Sequence, residues 1–256
     1  MKGVYREKNK FYQEITVPCY DVDRDRRLRP AAFMDLAQEL AHWGAELIGA
    51  GYDALQESKT AWVLSRMHIR FTDTPLWKED IRLWTWHKGF DGLFFLRDFL
   101  LQDAEGREKV SATSSWLIID TESRRLLRNP AESNPLLDLS TAGEGYAIAE
   151  PAPKVQAPSD LTWNPAGSHT VAYSDLDFLG HVNNARYMAW AMDCLGLEDA
   201  FRRPVDVSIN FNREVRPGDT VELFRGGEIL PDGRDACYVE GRVEGRQCFI
   251  VKLEYY

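Results

Sequence analysis

No apolar run in the 256-residue chain approaches the length that a membrane-crossing helix needs. The N-terminal MKGVYREKNKFYQE is charged and has no apolar signal-peptide core, so a cytoplasmic location is expected. Cysteine is scarce. Cys19, Cys194, Cys237 and Cys248 lack metal-ligand spacing and read as reduced, mostly buried thiols. A positive balance is lacking too: the net charge is −9, which argues against nucleic acid as the main partner. A G-x-S-x-G elbow is missing, so a serine nucleophile is not indicated. A metal site is not expected either. Asp175, Asp177 and His181 are the nearest thing to a ligand set, and no second His or Cys stands close to them in sequence.

What is present is ample material for a core, 44% hydrophobic and 12% aromatic, in a chain long enough for one large domain or two small ones. Phe11 to Tyr20 has strand character with a break at Pro18, and the polar YDVDRDRRLRP follows. Pro30 suits the first turn of a helix. Phe33, Leu36, Ala37, Leu40, Ala41, Gly44, Leu47 and Ile48 then recur at helical spacing, so a long helix is expected to about Ala50. Four β runs follow: AWVLSRMHIRFT, IRLWTWHK, LFFLRDFLLQ and KVSATSSWLIID. The expected organisation is a first unit over 1–128, a Pro-rich linker over 129–165 and a second unit over 166–256.

The second unit repeats the order of the first. A strand at Ser168–Tyr173 leads into the polar DLDFLGHVNN, and Tyr187, Trp190, Ala191, Cys194 and Leu195 continue at helical spacing. Gly196 is placed to end that helix in a left-handed cap. Strands are expected at 205–213, 219–230, 235–244 and from 246 onward. Residues repeat as well. Tyr20-Asp21-Val22-Asp23 resembles Ser174-Asp175-Leu176-Asp177, and IRFTDTPLWKEDIRLW aligns with INFNREVRPGDTVELF. The pattern is that of an α+β fold: two curved antiparallel sheets, each wrapped round a long helix and joined edge to edge.

The two copies control for each other. Asp23 matches Asp177, but Arg27 stands where the second copy has His181, and Thr74 where it has Glu214. Fold requirements common to both copies do not explain that difference, so a single active site is expected in the second half. A carboxylate beside an imidazole orients it, and either Glu214, expected to arrive from a strand, or Asp177 is the base that activates water. Backbone N–H groups near Val182–Asn184, at a helix start, suit an oxyanion. That set fits hydrolysis of an activated acyl group. Plainer readings exist for each residue: Asp-x-Asp as a helix cap, a structural His181, and Glu214 in a surface ion pair with Arg213 or Arg216. Asn183 and Asn184 equally suit the satisfaction of backbone groups.

DLDFLGHVNNARYMAW resembles the D-x-D-x-N-x-H-V-N-N-x-x-Y-x-x-W signature of the acyl-acyl-carrier-protein (acyl-ACP) thioesterases, enzymes with a double hot-dog fold. AWVLSRMHIRF, the Trp84–Trp86 segment, RDFLLQD, SATSSWLIIDTESRRL and FNREVRPGDTVEL resemble further segments of the family, so the similarity spans nearly the whole chain. The resemblance implies release of free fatty acid from acyl carrier protein by thioester hydrolysis, without cofactor. Its Asp falls on Asp177, its His on His181 and its Glu on Glu214. The family's catalytic Asn position holds Leu179 instead, and the Cys that often follows the Glu is Val215, which excludes a cysteine nucleophile there.

Under this reading the partner is acyl carrier protein with its acyl-phosphopantetheine, with no nucleic acid and no membrane span, and the chain is a monomer or homodimer. Alternatives are an acyl-CoA thioesterase and a non-catalytic acyl-binding protein. Carrier protein is acidic, as is this chain, so docking needs a local basic patch. Arg24, Arg26, Arg27 and Arg29 form one candidate; Arg124, Arg125 and Arg128 form another. Phe33 and Trp43 on the first helix are expected either to shape an acyl pocket or simply to pack in the core.

Overall fold

The computed structural model describes residues 3–127 and 142–256. Arg128, Pro130 and Pro135 therefore lie outside the described residues. The first half contains β1 (Val4–Glu7), β2 (Lys10–Thr16), α1 (Pro30–Leu47), α2 (Tyr52–Glu57), β3 (Thr60–Phe71), β4 (Asp80–Asp91), β5 (Phe94–Asp103) and β6 (Glu108–Asp120). The second half contains β7 (Asn164–Thr170), α3 (Asn184–Asp193), α4 (Leu197–Ala200), β8 (Asp206–Phe211), β9 (Thr220–Ile229), β10 (Asp235–Val243) and β11 (Arg246–Tyr255).

The strands form one antiparallel sheet of 11 in the order β1-β2-β4-β5-β6-β3-β8-β11-β10-β9-β7. Outside the edge strand β1, each half contributes five strands in the same internal order, and the two sets run outward from a seam between β3 and β8. This is the double hot-dog expected. At the seam Met67 opposes Ile209, Ile69 opposes Val207, and His68 opposes Ser208. His68 and Ser208 are counterparts in the alignment of the two copies, so the internal twofold passes between them.

Both long helices lie against this sheet. Proline at the first position and apolar residues three and four apart give α1 one buried face: Phe33, Met34, Ala37, Leu40, Ala41 and Gly44. The helix stops at Leu47 rather than Ala50, because Gly49 turns left-handed (φ 76°) and the Ala50 N–H bonds back to the Ala45 carbonyl at 2.9 Å. Helix α3 buries Ala185, Tyr187, Met188, Trp190 and Ala191, and Gly196 (φ 76°) follows it as expected. One apolar core joins the halves, with Phe33, Leu40, Ile69, Met188, Ile209 and Phe249 all essentially inaccessible. Burying each such side chain stabilises by about 1.5–3 kcal/mol.

Three elements were not expected from sequence. Strand β1 pairs with β2 across a turn in which Lys8 itself takes the left-handed region (φ 53°), with no glycine to mark it. The short helices α2 and α4 each follow a long helix. Strand β7 begins at Asn164, just inside the expected linker. It lies at the sheet edge, where Pro165 removes no needed N–H, and the register shifts between Pro165 and Gly167.

The described part of the linker packs on the sheet. Trp86 Nε1 donates to the Gly145 carbonyl at 3.0 Å, and Lys88 Nζ donates to the Ile148 carbonyl at 2.6 Å. The Ala147 N–H donates to Asp98 Oδ2 at 2.8 Å. Lys88 Nζ also lies 3.0 Å from Asp98 Oδ1, and both side chains are almost fully buried. Removing one partner of such a pair strands the other charge. Asp98→Ala is expected to lower the unfolding free energy by about 3–5 kcal/mol in a urea titration; a loss below about 1 kcal/mol would contradict the role given to the pair.

Candidate active site

The Asp-x-Asp motif folds into the same turn in both halves. Asp177 Oδ1 accepts the N–H groups of Leu179 and His181 at 2.9 and 3.0 Å, and Asp23 Oδ1 accepts those of Asp25 and Arg27, both at 2.9 Å. The Asp177 N–H donates to the His181 carbonyl, as that of Asp23 does to the Arg27 carbonyl. Gly180 (φ 76°) and Arg26 (φ 64°) take the left-handed position. The Asn183 N–H reaches the Asp175 carbonyl, as that of Arg29 reaches the Asp21 carbonyl. One task of Asp177 is therefore architectural, and its first-half twin shares it.

Asp175 is structural as well. It is buried and accepts from His169 Nε2 and from the Ala172 N–H, both at 2.8 Å. Burial opposes its ionisation, but these donors outweigh burial and hold its carboxyl below the usual range.

The halves part company at His181. His181 Nε2 lies 3.2 Å from Glu214 Oε1. The carboxylate at the imidazole is thus Glu214, and Asp177 instead grips the loop through its backbone. Glu214 sits in the loop after β8, which ends at Phe211, rather than on a strand. The Cys248 carbonyl pins that loop by accepting the N–H groups of Asn212 and Arg213. The second oxygen of Glu214 pairs with Arg124, which reaches across from the first half. That contact had no signal in the sequence, because the two residues are 90 positions apart. Val215 is buried in the core.

The turn that carries His181 borders a cavity of about 610 Å³, which neither His181 nor Glu214 lines. Its mouth is formed by Asp177, Phe178, Leu179, Asn183 and Asn184 of the second half. Its walls come from the first half: Trp43 of α1, Tyr52 and Leu55 of α2, Trp62 of β3, and Phe95 and Trp116 of the sheet. Phe178 packs edge-on against Tyr52 and His42, with centroids at 5.5 and 6.0 Å. Of the two aromatic residues singled out on α1, Trp43 lines the cavity and Phe33 belongs to the core.

The helix start is more committed than expected. Asn183 Oδ1 caps α3 by accepting the Ala185 N–H at 2.8 Å, and its own N–H is taken by Asp175. Val182 is buried beside Leu176. The Asn184 N–H has no acceptor among the described residues, and Asn184 lines the cavity. Among the described residues no cluster of three His, Cys, Asp or Glu has metal-binding geometry.

Deeper in the cavity lie His87 and Arg97. His87 Nδ1 is 3.1 Å from the Leu96 carbonyl, and Arg97 donates to Thr85 Oγ1 at 3.2 Å. Burial first, and the Arg97 charge second, drive the His87 imidazole from its ordinary 6.5 down to about 4.

Comparison with known proteins gives two family matches, one in each half. Residues 8–134 match the acyl-ACP thioesterase N-terminal domain, and residues 164–241 match the C-terminal domain. The chain is 24% identical over 252 residues to a chloroplastic oleoyl-acyl carrier protein thioesterase of Coriandrum sativum, covering 90% of this chain and 66% of that protein. It is 28% identical over 191 residues to a chloroplastic palmitoyl-acyl carrier protein thioesterase of Gossypium hirsutum, covering 72% of this chain and 46% of that one. Among solved structures, the 12:0-ACP thioesterase of Umbellularia californica superposes with a TM-score of 0.85 at 21% identity, covering 97% of this chain and 94% of that one. An acyl-ACP thioesterase of Bacteroides thetaiotaomicron gives 0.77 at 23% identity, covering 97% and 98%. At these identities the superpositions establish the fold.

Two outcomes are expected. Asp23→Ala and Asp177→Ala remove the same turn and should lower stability by similar amounts, about 1–2 kcal/mol each in denaturant unfolding; a loss confined to one of them would contradict the equivalence. His87 has a folded pKa below its unfolded value, so the unfolded chain takes up the proton first. Stability should therefore fall as pH drops from about 6.5 to about 4, by up to a few kcal/mol. His87→Gln should flatten that slope, and an unchanged slope would count against a neutral buried imidazole.

Proposed function

Because the chain belongs to the acyl-ACP thioesterase family, we propose that it hydrolyses the thioester of acyl-acyl carrier protein, releasing free fatty acid and ending chain elongation. The chain spans no more than about two thirds of the length of the coriander and cotton relatives it matches. The observation that carries the proposal is the asymmetry between the twin turns. Their backbone geometry is the same, yet only the second holds a His–Glu pair, at 3.2 Å, on the turn that borders the large cavity.

In this mechanism the acyl chain lies in the first-half cavity and the thioester carbonyl stands at its mouth. Glu214 takes a proton from water as the water oxygen attacks the carbonyl carbon. Arg124 pairs with the other oxygen of that carboxylate and holds it in place. The negative charge on the carbonyl oxygen is met by the start of α3, where the Asn184 N–H has no acceptor among the described residues. The tetrahedral adduct collapses with cleavage of the C–S bond, and His181 delivers a proton to the departing thiolate. Asp177 fixes the His181 backbone and so aims the imidazole. Leu179 lines the mouth without offering a polar group, so positioning of the carbonyl falls to the backbone.

The proposed partner is acyl carrier protein with its acyl-phosphopantetheine. Of the two basic patches, the one containing Arg124 and Arg125 lies at the proposed site, through the contact of Arg124 with Glu214. In the other, Arg29 is engaged with the Tyr20 carbonyl and Arg24 stacks on Phe201. Among the described residues no helix is long and apolar enough to cross a membrane. The cytoplasm is the proposed location, in keeping with four free cysteines. One chain already pairs its two halves through β3 and β8, which favours a monomer.

His181→Ala and Glu214→Gln should each lower kcat on acyl-ACP by at least about a hundredfold while leaving KM within a few fold. Full turnover in both variants would refute the assignment.

A further inference from the structure

The internal twofold relates the active cavity to a second cleft, of about 430 Å³, with the halves exchanged. It lies between the first-half turn, around Asp21 to Ala32, and the second-half segments around α3 and α4. Its mouth is closed in an equivalent way. The Arg24 guanidinium stacks 3.8 Å from the centre of the Phe201 ring, in the place that Phe178 takes against Tyr52.

The chemistry of this cleft differs from that of its twin. Arg27 replaces His181 and Thr74 replaces Glu214, and both line the cleft. Neither accepts a proton from water at neutral pH. Both are hydrogen-bond donors, and both have capacity to spare. Among the described residues Arg27 has a single loose carboxylate partner, Asp25 at 3.7 Å. Thr74 is only 7% exposed, and its hydroxyl has no hydrogen-bond partner among the described residues. The docking of Leu28 N–H on the Pro75 carbonyl, at 2.8 Å, holds the two residues on adjoining backbone.

The same wall carries the start of α1, an 18-residue helix with no side-chain cap. The N–H groups of Ala31 and Ala32, which line the cleft, have no acceptor among the described residues. The carboxylates of the cleft are largely committed. Asp23 is taken by backbone N–H groups, Asp35 pairs with Arg186 at 2.7 Å, Asp21 faces the Arg29 charge, and Asp193 is exposed. The remaining walls are apolar: Leu28, Phe71, Met192, Leu197, Phe201 and Pro204.

We propose that this cleft binds an amphiphilic carboxylate without chemistry, its head on Arg27, Thr74 and the first turn of α1 and its tail against Phe71, Met192 and Phe201. Free fatty acid belongs to this class, so the cleft would sense the product of the reaction proposed above. Only that link to the product rests on the thioesterase reading; the binding does not.

The test is calorimetric titration of decanoate into the full chain, as wild type, Arg27→Glu, Thr74→Val and His181→Ala. Wild type and His181→Ala should share a class of sites that Arg27→Glu weakens at least about tenfold and Thr74→Val weakens less. Arg27→Glu should keep kcat on acyl-ACP within about twofold. Decanoate binding unchanged in both Arg27→Glu and Thr74→Val would overturn the proposal, and Thr74→Val decides alone if Arg27→Glu does not fold. Inorganic phosphate that fails to displace decanoate supports an amphiphile; phosphate that competes on equal terms makes the site one for any oxyanion and overturns the fatty-acid assignment. Loss of the thioesterase reading would show differently, as no hydrolysis by wild type with decanoate binding intact.

Discussion

The antiparallel pairing of β3 with β8 is the contact on which the rest of the molecule depends. It turns two similar halves into one sheet and sets a twofold between His68 and Ser208. Met67, Ile69, Val207 and Ile209 on these two strands belong to the shared core. Around that axis each half offers its Asp-x-Asp turn to the other half's helices. The candidate active-site cavity is a consequence: it is bordered by a second-half turn and walled by first-half secondary structure. The Asp35–Arg186 pair, at 2.7 Å, ties α1 to α3 across the same axis. A change that weakens the seam therefore disturbs the site without touching a residue in it.

Duplication also separates architecture from chemistry. Asp23 and Asp177 make the same pair of backbone hydrogen bonds, so those bonds are what the turn requires. What only the second half has is His181 within reach of Glu214. In the first half the same two places hold Arg27 and Thr74, donors in place of proton acceptors. The proposed roles, water activation at one turn and anion recognition at the other, thus share a common backbone.

Much of this was legible in the residues. The succession of strands along each half follows from the β runs and turn signals, α1 and α3 from apolar spacing, and the odd status of His181 and Glu214 from comparing the copies. What stayed hidden has physical causes. The turn before β2 uses Lys8 in the left-handed region, with no glycine to announce it. Helix α2 spans six residues, too few for a periodic signal, yet it walls the cavity. The pairing of Arg124 with Glu214 depends on two loops meeting in space. The part of Asn183 as a cap, with its N–H spent, is set by hydrogen bonds that residue type alone leaves open. The departure at Leu179 was visible in sequence, whereas its place at the cavity mouth was not.

The central claim is that water, activated at His181 and Glu214, cleaves an acyl thioester. The most direct measurement is incubation of acyl-ACP with the protein in heavy-oxygen water, with mass analysis of the products. The account predicts free fatty acid carrying a single heavy oxygen in its carboxylate, formed by the wild-type chain and not by His181→Ala. Acyl-ACP left intact by the wild-type chain, or released equally fast by the variant, would contradict it.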